Sequence, residues 1–174
     1  MTRQYLTQNV YEAFQQRMHF IFTEFDNIFV SFSGGKDSGL LLNLTLDFQK
    51  KYYPSKPIGV FHQDFEAQYT VTTEYVERTF QRLSQDPMVE LYWVCLPMAA
   101  RTCFSSYQMY WYPWDDTKQE LWVRPMPQHP YVIHLQNNPI TTYQYRMHHR
   151  SSTCAAKRRC VSFSRTSRKR WKTA

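Results

Sequence analysis

Ser33, Gly34, Gly35, Lys36, Asp37 and Ser38 follow one another without a break, and together they hold the groups that grip an anionic phosphate chain. The paired glycines let the backbone take φ > 0 and approach a ligand with no Cβ in the way. Lys36 adds a compact cation, and Ser33 and Ser38 add hydroxyl donors. Asp37 makes little sense against bare phosphate, and good sense where a Mg²⁺ bridges it to phosphate oxygens. The flanking residues supply the rest of the device. A β-prone run, Ile28 to Phe32, enters the stretch, and the apolar-rich Leu40 to Phe48 leaves it. In that order the first N–H groups of a helix stand at the end of a buried strand. They lack intrahelical partners and lie at the positive end of the helix dipole, so they attract phosphate.

The spacing excludes two common phosphate loops. A Walker A loop needs a glycine where this chain has Val30 and a Ser or Thr directly after the lysine, where it has Asp37. There is no GxGxxG either. Ser33 to Ser38 resembles the SGGxDS loop of the PP-loop ATP pyrophosphatases, and the form Ser31-Phe32-Ser33-Gly34-Gly35-Lys36-Asp37-Ser38-Gly39 is similar to the phosphoadenosine-phosphosulfate (PAPS) reductase-like branch. The segment Val60-Phe61-His62-Gln63-Asp64-Phe65-Glu66 resembles that branch's second-strand acidic motif. Trp111 to Trp114 and Trp122 to Pro127 look like features of a subgroup that includes suggested regulators of immunoglobulin-binding proteins.

The resemblance covers about residues 20–145. It implies a Rossmann-like adenine nucleotide alpha hydrolase (PP-loop) fold, α/β with a parallel sheet and helices on both faces. It also implies ATP or a related adenylyl nucleotide, with Mg²⁺, held by Ser33, Gly34, Gly35, Lys36, Asp37, Ser38, Asp64 and Glu66. Lys36 and Asp37 would be the catalytic pair, and Asp37 and Asp64 the metal ligands. Attack would fall at the α-phosphate, with main-chain amides and Lys36 stabilising the leaving pyrophosphate. The alternative is a catalytically silent nucleotide-binding regulator. Reductase chemistry departs from the pattern, because the family's C-terminal Glu-Cys-Gly motif is missing. Cys160, beside Arg158 and Arg159, does not replace it.

The elements that must position these groups alternate. Asn9 and Glu12 form a capping box for a first helix running to about Phe25, with Val10, Phe14, Met18 and Ile21 or Phe22 on one face. Ile28 to Phe32 is the first strand, and the helix after the glycines stops before Pro54. Pro57 to Phe61 reads as a second, parallel strand, Tyr69 to Leu83 as a third helix, and Val89 to Leu96 as a third strand. In such a sheet ligands sit beyond the carboxyl ends of the strands, where His62, Asp64 and Glu66 also fall. The helix face of the third helix is Val71, Tyr75 or Val76, and Phe80.

Beyond Pro97 no clean period remains. The aromatic segment 103–114, with Arg101 and Arg124, reads equally as an adenine or protein-partner surface and as a hydrophobic cover over the sheet edge. His129 and His134 lie in a Pro-rich stretch with no metal-ligand spacing. Cys95, Cys103, Cys154 and Cys160 form no CxxC pair and read as single thiols.

Charge divides the chain. Residues 1–145 carry 11 Lys+Arg against all 14 Asp+Glu, a net −3, whereas residues 146–174 carry 10 Lys+Arg and no acid. Residues 1–146 therefore read as the nucleotide-binding domain, and 147–174 as a basic, disordered tail. That tail reads as a solvated end or a frameshifted or truncated sequence ahead of a nucleic-acid arm. No apolar run spans a bilayer and Met1 to Phe14 has no signal-peptide core, so a soluble cytoplasmic protein with no membrane partner is expected.

Overall fold

A computed structural model describes residues 7–102 and 105–135, together with the backbone of one strand further on. In chain order the elements are α1 (Val10–Glu24), β1 (Asn27–Ser31), α2 (Lys36–Tyr52), β2 (Ile58–Gln63), α3 (Thr70–Leu83) and β3 (Val89–Cys95). Then come β4 (Ala100–Arg101), β5 (Tyr110–Trp111), a 3₁₀ turn at Asp116–Leu121, β6 (Val132–His134) and β7 (Cys160–Phe163). The sheet order is β6-β3-β2-β1-β7 with every pair parallel, and β4 and β5 make a small antiparallel ladder of their own.

Local chemistry sets the elements. Asn9 Oδ1 accepts from the Glu12 N–H at 2.9 Å and Glu12 Oε2 accepts from the Asn9 N–H at 3.2 Å, so the capping box forms as expected. Met18, Ile21 and Phe22 make the buried stripe of α1. Val10 and Val71, each in the first turn of its helix, stay 88% and 73% exposed; apolar contact begins further along, at Phe14 and Val76.

Period-two alternation divides the strands between two faces. Ile28, Val30, Ile58, Val60, His62, Trp93 and Cys95 share the face covered by helices. Phe80 of α3 meets Trp93 at 5.4 Å and His62 at 6.2 Å, and Phe22 of α1 meets Phe48 of α2 at 5.6 Å. The opposite face carries Phe29, Phe61 and Tyr92, all partly buried. There the Phe29 ring lies over Gly59, where any Cβ would collide with it, and meets Tyr92 at 5.6 Å. Helices on both faces were expected; among the described residues α1, α2 and α3 form a layer on one face only.

Besides the small β4–β5 ladder, two strands of the main sheet were not expected. Val132–His134, in the stretch read as irregular, pairs with β3. Cys160–Phe163, inside the segment read as a disordered tail, pairs with β1. Those four residues pair with the sheet through their backbone; the remainder of 147–174 lies outside the described residues. Backbone pairing suffices to draw a short strand beside β1, whose outer edge otherwise offers unpaired N–H and C=O groups.

From β1 the chain steps outward through β2, β3 and β6, and β7 then lies on the other side of β1. The strand order therefore reverses between β1 and β7, a topological switch point in an open parallel sheet. No helix of the described residues is long and apolar enough to cross a membrane.

Candidate functional site

The turn after β1 lies at the carboxyl end of that strand, beside the reversal in strand order. Phe32 is buried and anchors the turn, its N–H donating to the Phe61 carbonyl at 2.7 Å. Gly34 then takes φ +77°, and a Cβ there would come within 2.8 Å of both Thr72 Cγ2 and Val76 Cγ2 of α3. Glycine is required twice over, by conformation and by packing. Gly35 is the N-cap of α2 and no side chain caps that helix, so its first amides keep their donor capacity outward. Ser33, Gly35, Lys36 and Asp37 are exposed.

The two serines hydrogen-bond within the turn. Ser38 Oγ donates to the Gly35 carbonyl at 2.9 Å, so in its 3.0 Å contact with Ser33 Oγ it accepts. It also accepts from the Ser33 N–H at 3.3 Å. Both hydroxyl protons thus close the turn upon itself. The donors left for an anion are main-chain amides and Lys36.

One strand over, the polar residues after β2 are closed. Asp64 is 1% exposed, and Arg124 Nη2 donates to Oδ1 at 2.6 Å and Oδ2 at 2.5 Å. Trp93 Nε1 donates to Oδ2 at 2.8 Å, and the Glu66 N–H to Oδ1 at 2.8 Å. Glu66, 5% exposed, accepts from the Trp114 N–H on Oε2 at 2.8 Å and from the Val123 N–H on Oε1 at 2.9 Å. Its carbonyl accepts from Arg124 Nε at 3.1 Å. The Arg124 guanidinium lies over the Trp114 ring at 4.9 Å.

Glu66 and Trp114 both have positive φ, 62° and 56°. Such strain costs about 1–3 kcal/mol per residue and persists only where surroundings hold it. Here the two strained residues are bonded to each other. The cluster fastens residues 114–124 over the end of β2.

Asp64 and Glu66, expected at the nucleotide and (for Asp64) at the metal, therefore spend their oxygens inside the protein. No group of three or more His, Cys, Asp or Glu among the described residues could hold a metal ion. Asp37, exposed in the first turn of α2, is the carboxylate that fits Mg²⁺, an ion content with one or two carboxylates plus phosphate oxygens.

His62 does not face the crevice. It is buried among Phe32, Phe80 and Trp93, and its Nδ1 donates to the Phe32 carbonyl at 2.8 Å, leaving Nε2 without a partner. Burial holds its pKa below the usual value, so the neutral ring buttresses the residue that leads into the glycine turn. Cys95, a buried free thiol, is pushed well up by burial and then by the Asp64 charge, which removes it as a nucleophile. His129 contacts Glu77 at 3.3 Å and stacks on Tyr131.

The aromatic segment divides between its two readings. Trp114 is fully buried and packs edge-on against Trp122, which is the cover, whereas Tyr107, Tyr110 and Tyr112 are exposed. Arg101 is exposed, and Arg124 is turned inward. A nucleic-acid role through the basic tail falls on residues outside those described, apart from the β7 backbone.

Fold and site together define an α/β protein whose parallel sheet presents a glycine-rich strand–turn–helix at the carboxyl end of β1. The chain is similar to "Uncharacterized protein YbdN" of Escherichia coli, 38% identical over 123 residues that make up 71% of this chain and 29% of that protein. It thus spans less than a third of that relative's length. No family model matches the chain, and no solved structure matches it.

Proposed function

We propose that the chain is a PP-loop protein of the PAPS reductase-like branch that binds ATP or a related adenylyl nucleotide at the Ser33–Ser38 turn. The observation that carries this reading is the uncapped N-terminus of α2, entered through Gly34 at φ +77°, at the strand-order reversal. Oriented amides on a dipole end supply a preorganised positive field for a polyphosphate. Lys36 neutralises one further charge, and Asp37 would hold a Mg²⁺ that supplies charge compensation between phosphate oxygens. Cleavage would break the bond from the α-phosphorus to its bridging oxygen, leaving AMP and pyrophosphate when water is the acceptor. The cytoplasm, where ATP is abundant, suits this activity.

A second reading is binding without turnover, as a regulator that engages a protein partner through its exposed tyrosines. It is favoured by the saturation of Asp64, whose oxygens are taken by Arg124, Trp93 and a main-chain amide. Incubation with Mg²⁺ and ATP labelled at the α-phosphate separates the two. Release of labelled AMP supports the enzyme, and saturable retention of intact ATP supports the regulator. Failure to retain any nucleotide removes both.

A further inference from the structure

Beside the glycine turn lies a groove of about 680 Å³ lined by Phe65, Ala67, Gln68, Tyr69, Thr72 and Val123. Its size is that of a small-molecule site. Thr72 is shared with the turn, since its methyl group is what a Cβ on Gly34 would strike. The two walls are held by one residue: the Gln68 N–H donates to the Glu66 carbonyl at 2.9 Å, and the Val123 N–H donates to Glu66 Oε1 at 2.9 Å. The groove is therefore preformed.

Two features are unexplained by the fold alone. The Gln68 side-chain oxygen is buried yet has no hydrogen-bond partner, a condition costing about 1–3 kcal/mol that native proteins seldom leave unrelieved. The apolar lip of the groove stands open to water, with Tyr69 87%, Val123 68% and Phe65 39% exposed. Aromatic and aliphatic walls around a lone amide suit a flat heterocycle whose edge carries an N–H donor. A glutamine amide pairs bidentately with the N6 and N7 edge of a 6-aminopurine, and stacking on an aromatic face adds to it.

Resting on the nucleotide reading above, we infer that this groove is the base subsite, with Gln68 selecting a 6-aminopurine over a 6-oxopurine and Tyr69 as its stacking platform. Rotation about the soft terminal torsion of Gln68 turns the amide to the incoming edge. The phosphates then run past Thr72 to the amides of α2.

Calorimetric titration of the full chain with adenosine, ATP, inosine triphosphate and inorganic triphosphate tests this. ATP should bind about tenfold more tightly than inosine triphosphate. Gln68→Leu should abolish that preference without changing affinity for inorganic triphosphate. Tyr69→Ala, at a side chain mostly in water, should weaken adenosine and ATP several-fold and leave inorganic triphosphate unchanged. Equal affinity for the two purine triphosphates in the unaltered protein, or a preference that survives Gln68→Leu, overturns the subsite. Loss of inorganic triphosphate binding in the unaltered protein instead defeats the phosphate turn, while adenosine still judges the groove.

Discussion

The ends of β1 and β2 are adjacent, parallel and rich in polar residues, yet they are opposites. After β1 the α2 amides have no side-chain cap, and Lys36 and Asp37 are exposed. After β2 every carboxylate oxygen has a partner: Asp64 is held by Arg124, Trp93 and a main-chain amide, and Glu66 by the amides of Trp114 and Val123. The first end leaves its helix amides without a side-chain cap, and the second is a fastening. A charged residue at a strand terminus says nothing about ligands until its existing partners are counted.

Breaking the fastening should have the largest effect. Arg124→Met leaves Asp64 charged, inaccessible to solvent and without its ion-pair partner, which should destabilise the fold by about 3–5 kcal/mol. Differential scanning calorimetry should show a fall in Tm of about 10 °C, and adding Asp64→Asn to the variant should recover much of it. Little loss from Arg124→Met would dissolve the contrast between the two ends.

The turn should break in a different currency, affinity. Gly34→Ala meets both a left-handed φ and the contacts with Thr72 and Val76, costing about 1–3 kcal/mol of stability and, by displacing the turn, at least tenfold in ATP affinity. Gly35→Ala, whose Cβ would meet nothing nearer than Ser33 Oγ at 3.5 Å, should leave stability nearly unchanged. Equal stability losses in urea unfolding would refute the distinction.

Lys36→Ala and Asp37→Ala lie at exposed positions and should spare the fold. Each should weaken Mg·ATP binding about tenfold, the effect of losing one charge-assisted contact of roughly 1.4 kcal/mol. Only Asp37→Ala should also flatten the dependence on Mg²⁺ concentration. Binding that keeps its full Mg²⁺ response in that variant would take the metal away from Asp37.

The smallest effect concerns the buttress. His62 is held below its ordinary pKa of 6.5 by burial. The unfolded chain takes up a proton near 6.5 while the folded chain stays neutral, so stability should decline as pH falls from 6.5 towards the lower folded value. The slope is about 1.4 kcal/mol per pH unit at most. His62→Gln, which keeps a donor for the Phe32 carbonyl but does not titrate, should reduce it. Urea midpoints between pH 7.5 and 5.5 that overlay for both proteins would place the proton elsewhere.

Much of the scaffold was legible because its signals are local. The capping box at Asn9 and Glu12, the strand–glycine–helix order and the parallel β2 each rest on residues a few positions apart. What escaped depends on distance. Arg124 and Asp64 are separated by 60 positions, so nothing near Asp64 announces that its oxygens are consumed. The strand β6 is three residues long in a proline-rich stretch, too short to show a period. The strand β7 is specified by main-chain pairing within an acid-free segment whose composition argues for no structure at all. Gln68 is silent in the sequence, because an uncharged amide in a loop carries no signal until its unpaired oxygen is seen.

Glu66 grips Trp114 and Val123 by their amides and not by their side chains. Any residue except proline can donate from position 123. The side chain there, which forms one wall of the groove, is thus released from structural duty. Diversification at that single position could retune what the groove accepts while the segment bearing it stays moored.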